Sequence, residues 1–233
     1  MPYYYHYYDP TYLLVLVGAI LSIIASSMVQ STYNKYAKVR SMSGMTGAQV
    51  AELILRNKGI TDVRIDHVSG NLTDHYNPKT KVINLSDTVY HSQSVAALGV
   101  AAHECGHVIQ HHENYAPLNF RSMLVPAANI GSKAGIPIIL LGVLFGYNQV
   151  LVQIGIWVFA LSVLFQLVTL PVEFNASKRA LVCLEEYGVV TREEKSQSAK
   201  VLRAAALTYV AAAAAAILQL LRLVMLFGRR DND

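Results

Sequence analysis

The stretch "QVLVQIGIWVFALSVLFQLVTL", residues 149–170, carries no formal charge over a length sufficient to cross a lipid bilayer. Such a run predicts a transmembrane helix, and it decides the class of the whole fold. The composition agrees, because 53% of the 233 residues are hydrophobic and only 15% are charged. This balance is too apolar for an ordinary soluble domain of this length, so we expect an integral membrane protein.

The residues before this run complete a membrane hairpin, which we assign to residues 121–170. The letters "GYN" at 146–148 indicate a turn, and the apolar segment "SMLVPAANIGSKAGIPIILLGVLFG" leads into it. Because this segment contains Pro126, Pro137 and Lys133, it is either one kinked span or an interfacial helix followed by a short span. A hairpin of this kind returns the chain to the side of the membrane from which it started.

The N-terminal region, residues 1–30, is predicted to be a transmembrane anchor. Its apolar run Leu13–Val29 has no positively charged leader, which argues against a cleaved signal peptide. Positive charges follow at Lys35, Lys38 and Arg40, so the positive-inside rule places the N-terminus outside and the following chain in the cytoplasm. The preceding "PYYYHYYDPTY" is interpreted as an aromatic anchor at the outer interface, with a flexible tail as the alternative.

The C-terminal region, residues 191–233, is predicted to be one long helix that includes a further span near Ala204–Leu221. Thr191 and Glu194 have the spacing of a capping box at its start. The alanine run in this helix favours close packing against other helices in lipid. With this span, about four transmembrane helices are expected. The two arginines at 229–230 argue mildly against an external C-terminus.

The charge pattern excludes nucleic acid as the expected partner. The net charge of +4 comes from lysines and arginines scattered around apolar segments, and they form no basic stripe. We interpret these cations as topology signals of a multi-pass protein of the cell membrane. Cys105 and Cys183 have no paired spacing, so reduced thiols in a cytoplasmic setting are expected.

Residues 31–120 have the composition of a small cytoplasmic domain. An amphipathic helix is predicted after Thr46 and up to the Gly59 stop. The alternating apolar residues of "TDVRIDHVSGNLTDHYNPKTKVINLS" predict a small β-hairpin or meander. A second helix is expected from Ser92 or Ser94 onward. The fold class is therefore α+β and mainly helical.

This second helix contains "AAHECGHVIQ", residues 101–110, which carries the chemistry of the chain. His103 and His107 lie one turn apart on one helix face, so two neutral imidazoles can hold one Zn²⁺. Glu104 lies beside them as a base for the water on that metal. Cys105 is about 200° around the helix from His103, so it is expected to point away and to pack in the interior.

A catalytic zinc site needs a third protein ligand and one open position for water. His111 and His112 follow the motif, but His111 is about 6 Å along the axis from His107, so a polar helix end is the preferred interpretation. Three other histidines are not excluded by spacing, although a lone histidine is more often a surface residue: His67, His75 and His91.

Glu173 is the better candidate for the third ligand. It lies in "LPVEFNASKRALVCLEEYG", just past the clearest span, in the first turn of a helix that Pro171 can start and Gly188 can end. We assign this third-ligand helix to residues 171–190. The hairpin returns Glu173 to the side of the membrane that carries His103 and His107. A plain interfacial charge is the alternative.

Several segments together resemble one known family. "AAHECGHVIQ", "TLPVEFNASKRAL", "LTDHYNP" and "VLRAAALTYVAAA" look like the YugP-type neutral zinc metallopeptidases, a bacterial membrane family, and the likeness covers nearly the whole chain. More distantly, the chain is similar to the HtpX-like and CaaX prenyl endopeptidases. In those proteins a membrane hairpin separates the HExxH helix from a helix of the form ExxxD.

The resemblance implies specific roles for four residues. His103, His107 and Glu173 would be the zinc ligands and Glu104 the general base, as in a gluzincin. This chain departs from the distant relatives at Ser177, which stands four residues after Glu173 where they have Asp. If that carboxylate orients a ligand histidine in the relatives, this chain must use a weaker hydroxyl or another residue.

The expected function is zinc-dependent endopeptidase activity on a peptide or protein substrate at the bilayer. A second donor to the oxyanion is expected, and Arg179, His75 and the tyrosines are all candidates. The strand "KVINL" either binds substrate as an added β-strand or is an ordinary core strand.

A zinc-binding membrane scaffold is the alternative to an endopeptidase, although a scaffold would not need Glu104. A small transporter would need charges within several spans, and only Lys133 and Arg222 approach that. Neither protein partners nor a homo-oligomer can be assigned from these patterns.

Overall fold

The computed structural model describes residues 9–228 of the chain. The predicted aromatic anchor therefore lies mostly outside the described residues, and so do the two arginines at 229–230. In chain order the elements are α1 (Tyr12–Tyr36), α2 (Gly47–Asn57), β1 (Arg64–Val68), β2 (His75–Asn77), β3 (Val82–Ser86), α3 (Asp87–Tyr90), α4 (Val95–His112), α5 (Ala116–Leu144), α6 (Gln149–Glu186) and α7 (Arg192–Phe227).

Four helices of the described chain, α1, α5, α6 and α7, are long and apolar enough to cross a membrane. The mean hydropathy of their most apolar windows is between 1.6 and 2.4, and most of the residues in those windows are not buried within the protein. Apolar side chains on the outside of a helix bundle are what a lipid environment requires. The expectation of a mainly helical membrane protein with about four spans and a small sheet is confirmed.

The chain divides into two compact units. One comprises the chain up to Ile24, Leu124–Leu167 and the chain from Val210 onward, and the other comprises Ala25–Met123 and Val168–Tyr209. We call the second the sheet unit, because it contains all three strands. It also contains the HExxH motif and Glu173.

Small residues bring the helices of the first unit close together. A Cβ on Gly18 would lie 3.0 Å from the Cα of Ala215, in the alanine run of α7. Similarly, a Cβ on Gly131 would lie 2.5 Å from the carbonyl oxygen of Val158. These approaches are the close packing that the alanine run predicts, and they supply van der Waals contact where lipid removes the hydrophobic driving force.

The sheet has the order β1-β3-β2, with β1 parallel and β2 antiparallel to β3. The predicted hairpin is therefore correct for β2 and β3, whereas a meander is wrong. Asp74 holds this arrangement, because its carboxylate accepts hydrogen bonds from the backbone N–H and the hydroxyl of Ser86, at 2.7 and 2.9 Å. Burial raises the pKa of Asp74, and the two bonds from Ser86 oppose that shift.

The central position of β3 corrects one expectation. This strand contains most of "KVINL", and both of its edges are paired within the sheet. A substrate therefore cannot add to it as a further strand, since β-augmentation needs an unpaired edge. Ile83 and Leu85 are fully buried, so the alternative interpretation as a core strand is the correct one.

Three helix starts follow their predicted caps. The Thr46 hydroxyl accepts from the Gln49 N–H and α2 follows, while the Ser94 hydroxyl accepts from Ala97 at the start of α4. Before α7, the Thr191 N–H donates to Glu194 at 2.7 Å, which closes the predicted capping box.

Three prolines lie inside long helices. Pro171 lies inside the continuous helix α6, so the expectation of a separate helix that starts there is wrong. Pro126 and Pro137 lie inside α5, which is one continuous helix, so the alternative of an interfacial helix followed by a separate short span is wrong. Membrane helices tolerate proline because neighbouring groups and local adjustments satisfy the freed carbonyls. As a result, the span that begins at Gln149 continues without a break to Glu173.

Candidate metal centre

Helix α4 presents His103 and His107 on one face, as their spacing predicts. The centroids of the two imidazole rings lie 4.7 Å apart, and the ring planes are almost perpendicular. The opposite face packs into the core of the sheet unit. There Cys105 is fully buried and its thiol lies 3.7 Å from the carbonyl oxygen of Ala51. Burial raises the pKa of Cys105 well above its ordinary value, so the expected role of an interior packing residue is confirmed.

Glu173 reaches both histidines from α6. Its Oε2 atom lies 3.3 Å from Nε2 of His103 and 3.5 Å from Nε2 of His107. Two ligands bound to a tetrahedral zinc at about 2.0–2.1 Å lie roughly 3.3–3.4 Å from each other. The two measured separations therefore match the edges of such a coordination polyhedron.

The surroundings of the Glu173 carboxylate also favour a bound cation. Its side chain is only 3% exposed, and Oε2 accepts no hydrogen bond although it is buried. A buried carboxylate oxygen without a donor costs free energy unless a cation balances it. Within the described chain, His103, His107 and Glu173 form the one group of His, Cys, Asp and Glu side chains that converges closely enough to hold a metal ion.

Gln110 sets the tautomer of His107. The Gln110 amide nitrogen donates to the backbone carbonyl of Val172 at 2.8 Å and to the amide oxygen of Asn175 at 3.0 Å. A carbonyl can only accept, so the amide oxygen of Gln110 must be the atom that faces Nδ1 of His107, at 3.1 Å. In the neutral imidazole Nδ1 therefore carries the proton, which leaves the Nε2 lone pair for a metal ion.

Ser177 is the corresponding partner of His103. Its hydroxyl lies 3.2 Å from Nδ1 of that histidine, at the position where the distant relatives have a carboxylate. Because a hydroxyl can either donate or accept, it specifies the tautomer less strongly than the Gln110 amide does. The Ser177 hydroxyl, which we expect to orient a ligand less strongly than a carboxylate would, is therefore in contact with His103, a candidate zinc ligand.

A close approach of two helices places the carboxylate near the histidines. A Cβ on Gly106 would lie 2.5 Å from the carbonyl oxygen of Ala176, so only glycine fits between α4 and α6 at this point. Gly106 directly precedes His107, and Ala176 is three residues after Glu173. The glycine thus sets the separation of the two helices at the site itself.

Two cavities meet at these residues. The first, which we call the apolar cavity, has a volume of about 190 Å³, and the second, the polar cavity, has a volume of about 450 Å³. Both are lined by His103, Glu104 and Glu173, and Tyr209 also lines both. Glu104 is 7% exposed, so its carboxylate is largely shielded from solvent while it borders the space where a substrate can enter.

The electrostatics of this site reflect its two carboxylates. Burial lowers the pKa of His107, but the nearby carboxylates of Glu173 and Glu104 outweigh burial, and the net pKa is raised above 6.5. Without a metal, the site therefore stabilises a positive charge on an imidazole. The same surroundings favour a bound cation.

The other five histidines of the described residues lie outside the convergent group. His111 is hydrogen-bonded to the Tyr76 hydroxyl at 2.9 Å, and His67 pairs with Asp87 at 2.7 Å. The remaining three have other surroundings: His75 contacts the Thr73 carbonyl, His91 packs edge-on against Tyr90, and His112 lies beside a separate cavity. None of these histidines joins the convergent group, although His75 and His111 line the polar cavity with His103 and His107.

The structure shows which candidates for a second hydrogen-bond donor to the oxyanion border the site. Arg179 is held by Glu113 at 2.7 Å and lines a different cavity, so it does not border the site. His75 lines only the polar cavity, whereas Tyr209 lines both. Arg121, which sequence reasoning missed, lines the polar cavity with Nη2 3.9 Å from Oε1 of Glu173. No spacing pattern could have found it, because it lies 52 residues before Glu173 on another helix.

The fold and the site together indicate a class, a helical membrane protein with a candidate metal centre of two histidines and one carboxylate. A family model described as "Putative neutral zinc metallopeptidase" matches residues 11–228, and the chain belongs to this family, whose metal is zinc. The chain is similar to "Putative membrane protease YugP" of Bacillus subtilis (strain 168), with 44% identity over 221 residues that cover 94% of this chain and 98% of the relative. No solved structure matches the chain.

Proposed function

We propose that the protein is a membrane-embedded zinc endopeptidase in which His103, His107 and Glu173 hold the metal and Glu104 is the general base. The observation that carries the proposal is the convergence of the three ligand atoms around a buried carboxylate oxygen that accepts no hydrogen bond. The HExxH spacing and the family support the same assignment. The arrangement is that of a gluzincin, with the third ligand supplied by a distant helix.

Each side chain of the site has a separate task in the proposed reaction. Zinc held by His103, His107 and Glu173 would supply a Lewis acid for the substrate carbonyl group and would lower the pKa of a water molecule toward about 7. Glu104 accepts the proton of the attacking water and transfers it to the leaving amine. Tyr209 lines the same space and provides a hydroxyl donor for the oxyanion, and Arg121 provides a cation on the polar side. Gln110 and Ser177 orient the two imidazoles.

The experiment that tests this proposal separates zinc binding from chemistry. The full chain, purified in detergent, should contain close to one zinc per chain, and His103→Ala or His107→Ala should lose most of it. Glu104→Gln should keep the zinc and lose proteolysis of an unfolded protein by several orders of magnitude. Glu52→Gln, on the exposed face of α2, is the matched control and should keep both.

Two outcomes would overturn the proposal. Full zinc content in both histidine variants would remove the metal assignment. Undiminished proteolysis by Glu104→Gln would remove the base. Zinc binding by a wild-type chain that cleaves nothing would instead favour the zinc-binding scaffold.

We further propose that the metal centre faces the cytoplasm of a multi-pass protein in the plasma membrane. The support is the cluster of positive charges directly after the first apolar run, at Lys35, Lys38 and Arg40. An even number of spans between that cluster and Glu173 returns the chain to the same side. The relative from Bacillus subtilis is described as a membrane protease, which supports the membrane location but not the orientation.

A further inference from the structure

We infer that the apolar cavity beside the metal centre is a subsite for a large apolar side chain of the substrate, next to the bond that is cleaved. The inference rests on the proposed endopeptidase function and deepens it, because it names the substrate feature that this site recognises. It is carried by the position, the lining and the size of the cavity.

The position of the cavity is the first argument. His103, Glu104 and Glu173 form part of its wall, so any group that fills it lies next to the reacting atoms. These residues also border the polar cavity, where His107 completes the convergent group. A peptide that crosses the site must therefore place the scissile bond where the two cavities meet, with its neighbouring side chains directed into them.

The lining of the two cavities differs sharply. Away from the shared residues, the wall of the apolar cavity consists mainly of aliphatic side chains, which are Val29, Leu72, Val100, Leu202, Ala205 and Ala206. The polar cavity instead includes Lys79, Arg121, His75 and His111. Asp74 also lines both cavities. Transfer of an apolar side chain from water into the first cavity is favourable, whereas an anionic side chain there would lose its hydration and lie near the carboxylates of Glu104 and Glu173.

Leu72 provides an independent observation. Its backbone has a φ of 55°, in the left-handed region that a leucine rarely adopts. The surrounding loop is held on both sides, because Asn71 accepts from the Thr88 hydroxyl at 3.1 Å and Asp74 is bonded to Ser86. Strained residues persist where the surrounding structure over-determines them, and they cluster at functional sites. Here the anchored loop, which begins the motif "LTDHYNP", places an aliphatic side chain against the metal centre.

Two alanines of α7 leave the space for the substrate side chain. Ala205 and Ala206 form part of the wall of the apolar cavity, and a larger side chain at either position would extend into it. Ala205 is only partly buried, so an extra pair of methyl groups there fills open space instead of displacing core atoms. The size of these residues therefore sets the size of the side chain that is accepted.

The test is a map of cleavage sites. The full chain in detergent is incubated with an unfolded soluble protein, and the cleaved bonds are identified by mass spectrometry. We expect large aliphatic or aromatic residues to be enriched at one fixed position beside the cleaved bond. Ala205→Val and Ala206→Val should lower kcat/KM at least tenfold for a peptide with leucine at that position. They should leave the matched peptide with alanine within about threefold.

Two further variants make the result decisive. Leu72→Ala enlarges the cavity from a surface loop and should shift the preference toward tryptophan and phenylalanine, even if a valine variant fails to fold. Ala214→Val, on the same helix but away from both cavities, should leave the preference unchanged. Zinc content reports whether each variant keeps an intact centre.

The outcomes distinguish this inference from the proposed function. Cleavage that depends on Glu104 but shows no apolar preference, or a preference that none of the cavity variants changes, would overturn the subsite and leave the peptidase intact. The absence of any cleavage by a wild-type chain that contains zinc would overturn the proposed function and the subsite with it.

Discussion

Gln110 is a buried polar residue whose side chain is hydrogen-bonded at the candidate metal centre. It connects Nδ1 of His107 on one side with the α6 groups of Val172 and Asn175 on the other. We expect Gln110→Leu, which preserves approximate volume, to weaken zinc affinity about 10- to 100-fold, because His107 loses the acceptor that fixes its tautomer. Competition with a chelator of known affinity measures this change.

Two controls distinguish orientation of the ligand from general destabilisation. Gln110→Glu keeps an oxygen acceptor for His107 and should retain more zinc affinity than Gln110→Leu. Gln30→Leu, on the exposed surface of α1, should change nothing. Equal zinc affinity in wild type and Gln110→Leu would show that the hydrogen bond has no role in the site.

Glu173 supports a second prediction at the residue scale. Glu173→Gln replaces a charged ligand oxygen by a neutral amide, so zinc affinity should fall and proteolysis should be abolished. Glu185→Gln is the matched control on the same helix, because Glu185 is exposed and pairs only with Lys195 at the surface. The zinc content of both purified variants gives the comparison. A Glu173→Gln protein with wild-type zinc affinity and activity would exclude Glu173 from the metal shell.

At the scale of the helices, Gly106 allows α4 and α6 to approach each other. A Cβ there would lie 2.5 Å from a backbone carbonyl of α6, which cannot move without its helix. We expect Gly106→Ala to cost about 1–3 kcal/mol through overpacking, despite the helix propensity that alanine gains. It should also weaken zinc binding, because the helices that carry the ligands are forced apart. Thermal unfolding and zinc content report the two effects.

Gly99→Ala is the matched control on the same helix. Its Cβ would lie 3.3 Å from the side chain of Ser198, which is a far milder contact. Since alanine has the higher helix propensity by about 1 kcal/mol, this variant should be close to neutral in stability and should keep its zinc. A Gly106→Ala protein as stable as Gly99→Ala would show that the close approach is unimportant.

The elements show where local sequence signals suffice and where they fail. Thr46, Ser94 and Thr191 cap helices through contacts only three residues long, so the sequence alone predicts them. Pro171 fails as a helix start because the tolerance of a proline depends on its surroundings, which are not local. The sheet order fails for the same reason, since the parallel pairing of β1 with β3 depends on contacts distant in sequence.

At the scale of the whole molecule, the candidate site also combines residues that local sequence predicts with residues whose roles depend on the fold. His103, Glu104 and His107 are predicted from one turn of helix, because their spacing alone places them together. Glu173 is predicted from its place after a membrane span and from family resemblance, and its distance to the histidines needs the fold. Gln110 gives no signal in the sequence, and Tyr209 is one of 14 tyrosines that the sequence does not distinguish, since their roles arise from atoms that meet only after the helices pack.

The last prediction concerns the orientation of the whole chain in its membrane. Cations directly after the first span, followed by a hairpin, predict that residues 31–120 and 171–200 lie in the cytoplasm and that both termini lie outside. Asn114 lies in the turn after α4 and Ser196 lies near the start of α7, and both are exposed, so a cysteine at either position should resist a membrane-impermeant thiol reagent in intact cells and react after permeabilisation. Cys105 and Cys183 are buried and give little background. Labelling of N114C or S196C from outside would reverse the topology and place proteolysis on the outer face, without changing the metal centre itself.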